Sequence, residues 1–112
     1  MKDIGYYNGT IGNLDEMTVP MNDRAGYFGD GIYETALVPQ DNFPDLDKHI
    51  DRFFRGAAAI SMTVPFEKKE LKQLLKEVTL RSEYDTKFLY WQLTRGTARR
   101  MHTFPKGTPN LW

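Results

Sequence analysis

The run Asp45-Leu-Asp-Lys-His-Ile-Asp-Arg-Phe-Phe-Arg-Gly-Ala-Ala-Ala-Ile60 decides the fold class, because here the spacing of apolar residues stops being strand-like and becomes helical. Leu46, Ile50, Phe53, Phe54, Ala57 and Ile60 recur at helical spacing, with Asp45 or Asp47 placed to cap the start. The pattern predicts an amphipathic helix lying on a core. His49, Arg52 and Gly56 follow one another at i, i+3 and i+7 and share a different side, where the glycine removes bulk. A ligand or another backbone can approach there; a packing glycine or a helix end gives the same pattern.

On the N-terminal side the signals are those of strands. Asn8-Gly9-Thr10 sits between Ile4 to Tyr7 and Ile11 to Leu14, which predicts a β-hairpin. Asp15 to Met21 is expected to continue the sheet, with Met17 and Val19 on one face, until Pro20 limits pairing. Asn22 to Gly31 is too rich in Gly and Asp for a regular element and reads as a structured loop. Ile32 to Val38 is a strand, and Pro39-Gln40-Asp41-Asn42 is a turn returning the chain to Phe43.

On the C-terminal side, Met62 to Phe66 with Pro65 breaks the helical pattern before a second helix beginning at Glu67. Leu71, Leu74, Leu75 and Val78 form its apolar stripe, and its Lys and Glu residues read as a solvated face. Ser82 to Thr86 leads into a strand over Lys87 to Leu93. Gly96 then turns the chain into Thr94-Arg-Gly-Thr-Ala-Arg-Arg-Met-His-Thr-Phe-Pro105, which concentrates three arginines and a histidine. If the chain stays extended there, Arg100 and His102 point the same way and make a carboxylate trap. The same stretch also reads as a solvated basic loop. The tail from Lys106 to Trp112 has no periodicity, and its two apolar residues read as exposed. The whole is an α+β domain over residues 1–112, two layers thick, with an antiparallel sheet covered on one face by two helices.

Composition sets the outer limits. With 112 residues, 40% hydrophobic and 27% charged, the chain is one globular domain with one core. Fifteen basic residues balance fifteen acidic ones, so any anion site must be local, and a nucleic-acid module using Arg95, Arg99 and Arg100 with Tyr90, Trp91 and Phe104 is disfavoured. The absence of cysteine excludes disulfides and thiolate zinc sites and fits a cytoplasmic home. No metal site, signal peptide or membrane span is expected.

Three stretches together resemble one family. Phe28-Gly-Asp-Gly-Ile-Tyr-Glu34, His49-Ile-Asp-Arg52 and Arg95-Gly-Thr-Ala-Arg-Arg-Met-His-Thr-Phe-Pro105 are similar to the small N-terminal domain of class IV pyridoxal-phosphate aminotransferases, nearest to the D-amino-acid aminotransferases. The first two are shared across the class, and the third is the more specific. Arg99 stands where the family often has proline, and Met101 where the D-amino-acid enzymes tend to have asparagine. The resemblance implies that Arg52 binds the phosphate of pyridoxal 5′-phosphate. It implies that Tyr33, Arg100 and His102 hold the α-carboxylate of an amino acid or 2-oxo acid, with Arg100 and His102 reaching in from the partner subunit of a homodimer. The lysine that carries the cofactor, and the glutamate facing its pyridine nitrogen, belong to a C-terminal domain, and none of the eight lysines here matches that position. The resemblance therefore implies that this chain alone is inactive. A class IV lyase related to aminodeoxychorismate lyase, a branched-chain aminotransferase and a free-standing interaction protein are the alternatives. A domain made for such an assembly is expected to expose an apolar patch near Tyr27, Phe28, Tyr33 and Trp91 and to self-associate.

Overall fold

The computed structural model describes residues 2–112. A hairpin of β1 (Ile4–Tyr7) and β2 (Thr10–Asn13) turns at Asn8-Gly9, as the sequence predicts. The sheet does not continue from there. Asn13 instead caps a single 3₁₀ turn, Leu14–Glu16, by accepting the Asp15 N–H. Short Asx side chains compete in this way with strand pairing. Asn22 to Gly31 also departs from expectation, because it contains a short helix α1 (Arg24–Phe28). Asp23 caps its start by accepting the Ala25 N–H at 2.8 Å, and Gly29 ends it in a left-handed conformation.

The main sheet joins β3 (Gly31–Pro39) to β4 (Thr86–Thr94) in antiparallel register over their full length, from Gly31 opposite Thr94 to Pro39 opposite Thr86. Gly31 is required by closeness: a Cβ there would fall 2.6 Å from the Leu93 carbonyl oxygen. Between the strands lie α2 (Leu46–Ala59) and α3 (Lys68–Leu80). Asp45 occupies the cap position of α2 with left-handed backbone and makes no side-chain cap bond. At α3, Glu70 reaches back to accept the Glu67 N–H at 3.2 Å, so one of the charges read as mere surface completes a cap.

Period-two alternation sorts the sheet into two faces. Glu34, Ala36 and Val38 of β3, with Lys87, Trp91 and Leu93 of β4, are buried on one face. Both helices cover it, since Ile50, Phe53 and Ala57 of α2 and Leu71 and Leu75 of α3 share one core cluster with Ala36, Trp91 and Leu93. Each large apolar side chain buried this way contributes about 1.5–3 kcal/mol. The fold class is therefore α+β, with one covered face. On the other face Tyr33, Leu37, Phe88 and Tyr90 are exposed, and Tyr33 stacks on Tyr90 at 5.5 Å. Of the four residues expected in an apolar patch, Tyr33 lies on this face, Tyr27 is exposed on α1 and Phe28 is half-buried, but Trp91 is not exposed: its ring is buried 5.9 Å from that of Phe53. Lys87, at the start of the predicted strand, is buried as well, and its Nζ donates to Asp41 at 2.6 Å.

The tail holds the largest departure. Asn110–Leu111 forms a short strand, β5, against Thr94 and Leu93, and Leu111 is a core residue. Two residues are too few to show a period, so only the pairing reveals the strand. Among the described residues, no helix is long and apolar enough to cross a membrane.

One ion cluster ties the loop after β4 to α1. Asp30 accepts from Arg24 Nε at 2.7 Å and from Arg95 Nε at 2.9 Å, with both arginines buried. Arg24 Nη1 donates onward to the Met101 carbonyl at 2.7 Å, and Arg95 Nη2 to the Ile60 carbonyl at 2.6 Å. Burial opposes the Asp30 charge, but hydrogen bonds from Arg95 and Arg24 outweigh it and hold the carboxyl below its ordinary range.

Two outcomes follow from this arrangement. A depressed carboxyl stabilises the fold above its ordinary pKa and loses that contribution as pH falls through the lower folded value. Thermal denaturation across acid pH should therefore show a falling limb that Asp30→Asn flattens, and at neutral pH the variant should lose roughly 3 kcal/mol, since two buried guanidinium groups lose their counter-ion. The second outcome concerns the open face. The chain should self-associate at high concentration, and Phe88→Glu should reduce that association in sedimentation while leaving the melting temperature nearly unchanged.

Candidate functional site

Arg52 and His49 converge on one carboxylate. Glu34 lies on the covered face of β3, buried, and α2 runs over it so that residues one helical turn apart meet it together. Arg52 Nε donates to Glu34 Oε2 at 2.7 Å and its Nη2 to Oε1 at 2.8 Å, while His49 Nδ1 lies 3.0 Å from Oε1. Gly56, the third member of the sequence stripe, packs instead on Ile32, two residues before Glu34 on the same strand. A Cβ at Gly56 would stand 3.6 Å from Ile32 Cγ2, an ordinary contact. The stripe is thus the face that α2 lays along β3, with no separate docking space at Gly56.

The electrostatics follow from the geometry. The hydrogen bond from Arg52 is the main cause that lowers the Glu34 pKa, against the opposing effect of burial, and the same bond raises that of Arg52. A guanidinium can present two forks. Its Nε/Nη2 side grips Glu34, which leaves Nη1 without a partner among the described residues, on a side chain that is 65% exposed. Arg52 is a fixed cation with a free fork, suited to a phosphate or a carboxylate.

Arg100 and His102 lie in the irregular segment after β4, which bends at both residues. An extended backbone does not align them, as the sequence reading supposed. They meet through a third residue: the Arg100 guanidinium lies 5.1 Å and the His102 ring 5.9 Å from the Phe28 ring. Both side chains are exposed. Arg24 stacks on the same ring at 4.8 Å, and Arg95 stacks on Phe104 at 3.6 Å. Gly96, with φ of 119°, makes the turn out of the strand. The segment is pinned by Ala98 N–H to the Asn22 carbonyl at 3.1 Å and by Arg24 N–H to the Gly96 carbonyl at 2.9 Å. Buried Asp23 holds its base, accepting from Thr94 Oγ1 at 2.9 Å and Asn110 Nδ2 at 2.8 Å.

The candidate residues thus fall into separate groups. Arg52 sits with Glu34 and His49, Arg100 and His102 sit with Phe28, and Tyr33 stands on the open face of β3, 65% exposed and stacked on Tyr90. Glu34, Asp30 and Phe28 are the residues whose parts the sequence left unassigned. Glu34 carried a signal, as the one charge at an inward position in a strand that otherwise buries apolar side chains there. Asp30 carried none, because Arg24, six residues before it, falls at no helical spacing from it within a stretch read as a loop, and Arg95 is 65 residues away.

Comparison with known proteins gives this geometry a context. The chain is 34% identical over 103 residues to the D-alanine aminotransferase of Listeria monocytogenes, covering 91% of this chain and 36% of that protein. It is 37% identical over 106 residues to the D-alanine aminotransferase of Bacillus licheniformis, covering 94% and 38%. The fold superposes on the branched-chain amino acid aminotransferase of Escherichia coli with a TM-score of 0.88 at 15% identity, over 99% of this chain and 38% of that one. It also superposes on a T.th. branched-chain amino acid aminotransferase complexed with N-(5′-phosphopyridoxyl)-L-glutamate, with a TM-score of 0.85 at 21% identity, over 99% and 39%. The chain therefore spans well under half the length of these relatives. The family model for amino-transferase class IV matches residues 31–111, from the first residue of β3 to the last of β5. On that match, and on its identity to the two D-alanine enzymes, the chain belongs to the class IV amino-transferase family.

Proposed function

We propose that this chain acts as the N-terminal domain of a pyridoxal-phosphate aminotransferase that moves an amino group between a D-amino acid, such as D-alanine, and a 2-oxo acid. The observation that carries this reading is Arg52: a guanidinium held on one side by Glu34, with its other fork free. That donor set fits a phosphate monoester, whose oxygens accept from a fork in the same way as a carboxylate. The relatives named D-alanine aminotransferase support the substrate class. A cytoplasmic location belongs to the same reading.

Each residue then has a role set by its surroundings. Arg52 binds the cofactor phosphate, and Glu34 acts as a positioning residue that fixes the guanidinium plane. Pyridoxal 5′-phosphate, when bound, supplies the electron sink that lets the amino group and the α-proton move. Arg100 and His102, presented outward on the Phe28 ring, bind the substrate α-carboxylate together with Tyr33. Arg100 gives a charge-assisted fork and His102 a directional donor. Their outward presentation, apart from Tyr33, supports a homodimer in which this segment reaches into the partner's site. The lysine needed to hold the cofactor covalently is to come from another domain of the parent protein.

In the parent enzyme, Arg52→Ala should weaken cofactor retention, and excess cofactor should restore much of the rate. Arg100→Ala should leave retention intact and cut kcat/KM for amino acids by about ten- to a hundredfold, the equivalent of a lost charge-assisted bond of roughly 1.5–3 kcal/mol. Simple amines should be nearly indifferent, and Arg100→Lys should recover only part of the loss. Release of cofactor by Arg100→Ala, or an equal loss for amines, would remove Arg100 from the carboxylate.

The isolated chain should transaminate nothing. After incubation with pyridoxal phosphate and borohydride, mass spectrometry should find no single lysine selectively modified. Selective modification of one lysine together with D-alanine turnover would refute the assignment of that lysine to another domain.

A further inference from the structure

Of the five asparagines in the chain, only Asn8 is followed by glycine. The pair forms the turn between β1 and β2, with Asn8 at φ of 43° and Gly9 at φ of 98°. It also carries a covalent chemistry. Glycine has no Cβ, so its amide nitrogen is the least hindered of any residue's and can attack the neighbouring asparagine carboxamide where the chain is free to bend.

In the fold that carboxamide is tied down, although Asn8 lies at an exposed turn. Its Nδ2 donates to Asn110 Oδ1 at 2.9 Å, and its Oδ1 accepts the Leu111 N–H at 2.9 Å. The Asn8 backbone N–H donates to the Leu111 carbonyl at 3.0 Å. Every one of these contacts is made with β5.

We propose that Asn8 is a deamidation site closed by β5: the amide is inert while Asn110 and Leu111 hold it, it reacts when β5 detaches, and the acid formed cannot rebuild the contact with Asn110. This inference concerns the chemistry of the folded chain and does not rest on its activity.

The reaction needs only water. The Gly9 nitrogen attacks Asn8 Cγ and loses its proton, the Cγ–Nδ2 bond breaks, and ammonia leaves behind a five-membered succinimide. Water then opens the ring at one carbonyl or the other, giving aspartate, or isoaspartate with the backbone running through Cγ. Nothing is oxidised or reduced. Ring closure requires rotation about ψ and χ1 of Asn8 until Cγ meets the Gly9 nitrogen. The hairpin restrains the first rotation, since Tyr7 pairs with Thr10 and Tyr6 with Ile11 around the turn. The bonds to Asn110 and Leu111 restrain the second. β5 spans only two residues, so its release breaks few backbone bonds and can occur without global unfolding.

The product is misfitted by one donor. Asn110 presents Oδ1 to Asn8 because its Nδ2 is already committed, donating to Asp23 Oδ2 at 2.8 Å and to Thr97 Oγ1 at 2.8 Å. A carboxylate at position 8 sets an acceptor against an acceptor. Turning the Asn110 amide over moves the same conflict to the buried carboxylate of Asp23. The donors run one way, from Asn8 through Asn110 to Asp23, and Asp23 in turn accepts from the Ala25 N–H at the start of α1 and from Thr94 Oγ1. Loss of the first link therefore loosens the base of the segment that carries Arg100 and His102.

The test follows the Asn8 peptide by mass spectrometry, as conversion of amide to acid, in the folded chain at mildly alkaline pH and in the same chain in urea. Two variants are compared under folding conditions. Asn110→Ala removes the acceptor of Asn8 Nδ2, and Ile50→Val trims the core on α2 as a control for general loss of stability. Conversion should be roughly tenfold or more slower in the folded chain than in urea. Asn110→Ala should speed it by about tenfold, the effect of one net hydrogen bond, and Ile50→Val should leave it slow. Asn8→Asp, the product made directly, should speed amide exchange at Leu111 by about tenfold in NMR while the pairing of Tyr7 with Thr10 survives. Equal conversion in the folded chain and in urea would overturn the proposal. Equal acceleration by Ile50→Val and Asn110→Ala would do the same, because global unfolding would then be what frees the amide. Should Asn110→Ala fail to fold, Asn8→Asp decides: unchanged exchange at Leu111 would mean that the acid is accommodated and the proposal is wrong.

Discussion

The contact between Asp30 and two arginines holds the candidate substrate-facing segment in place. Asp30 follows α1, Arg24 lies within α1, and Arg95 begins the segment after β4, so one carboxylate closes three parts of the chain on each other. Each arginine uses its remaining N–H groups on backbone carbonyls that no regular element satisfies, at Met101 and Ile60. Buried charges are tolerable only when fully partnered. The cluster meets that requirement in a region with little regular structure, and exposed Arg100 and His102 inherit their position from it.

A second carboxylate works on the same principle with a different result. Glu34, at an inward position of β3, fixes Arg52 as Asp30 fixes Arg24 and Arg95. The difference lies in what remains of the guanidinium. Arg24 and Arg95 are buried and spend their donors on the protein, whereas Arg52 is largely exposed and keeps a fork free. The arginines near the site thus divide into those that build and those that present. The sequence motifs mix the two kinds without distinction.

The sheet imposes the remaining constraint. Because β3 and β4 pair along their whole length, one face is committed to α2 and α3, and Tyr33, Leu37, Phe88 and Tyr90 are left on the other. An exposed aromatic face of this kind suits association with further protein surface. The phosphate candidate and the tyrosine candidate are neighbours in sequence through Glu34 and Tyr33, yet the pleat sends those two side chains to opposite sides.

Periodicity made the principal elements legible: α2, α3, β3, β4 and the first hairpin lie within one to three residues of their sequence-derived ranges, because each has a long enough apolar pattern or a definite turn. The family motifs were equally legible, since they are local strings. Short elements were not. Two residues of β5, five of α1 and the 3₁₀ turn after Asn13 have no period to detect, and side-chain caps or distant pairing form them. Burial of Trp91 and Lys87 was hidden for a related reason: alternation gives two faces but does not say which the helices will cover. Arg100 and His102 do lie near one another, but not through the extended backbone that the sequence reading supposed. They come together on Phe28, a residue far away in the chain, because Asp30 binds Arg24 and Arg95. The sequence by itself determined which residues carry charge and where regular structure repeats. Which arginines are spent on the fold and which remain free was decided only by the tertiary structure, since that depends on the carboxylate each one meets across the chain.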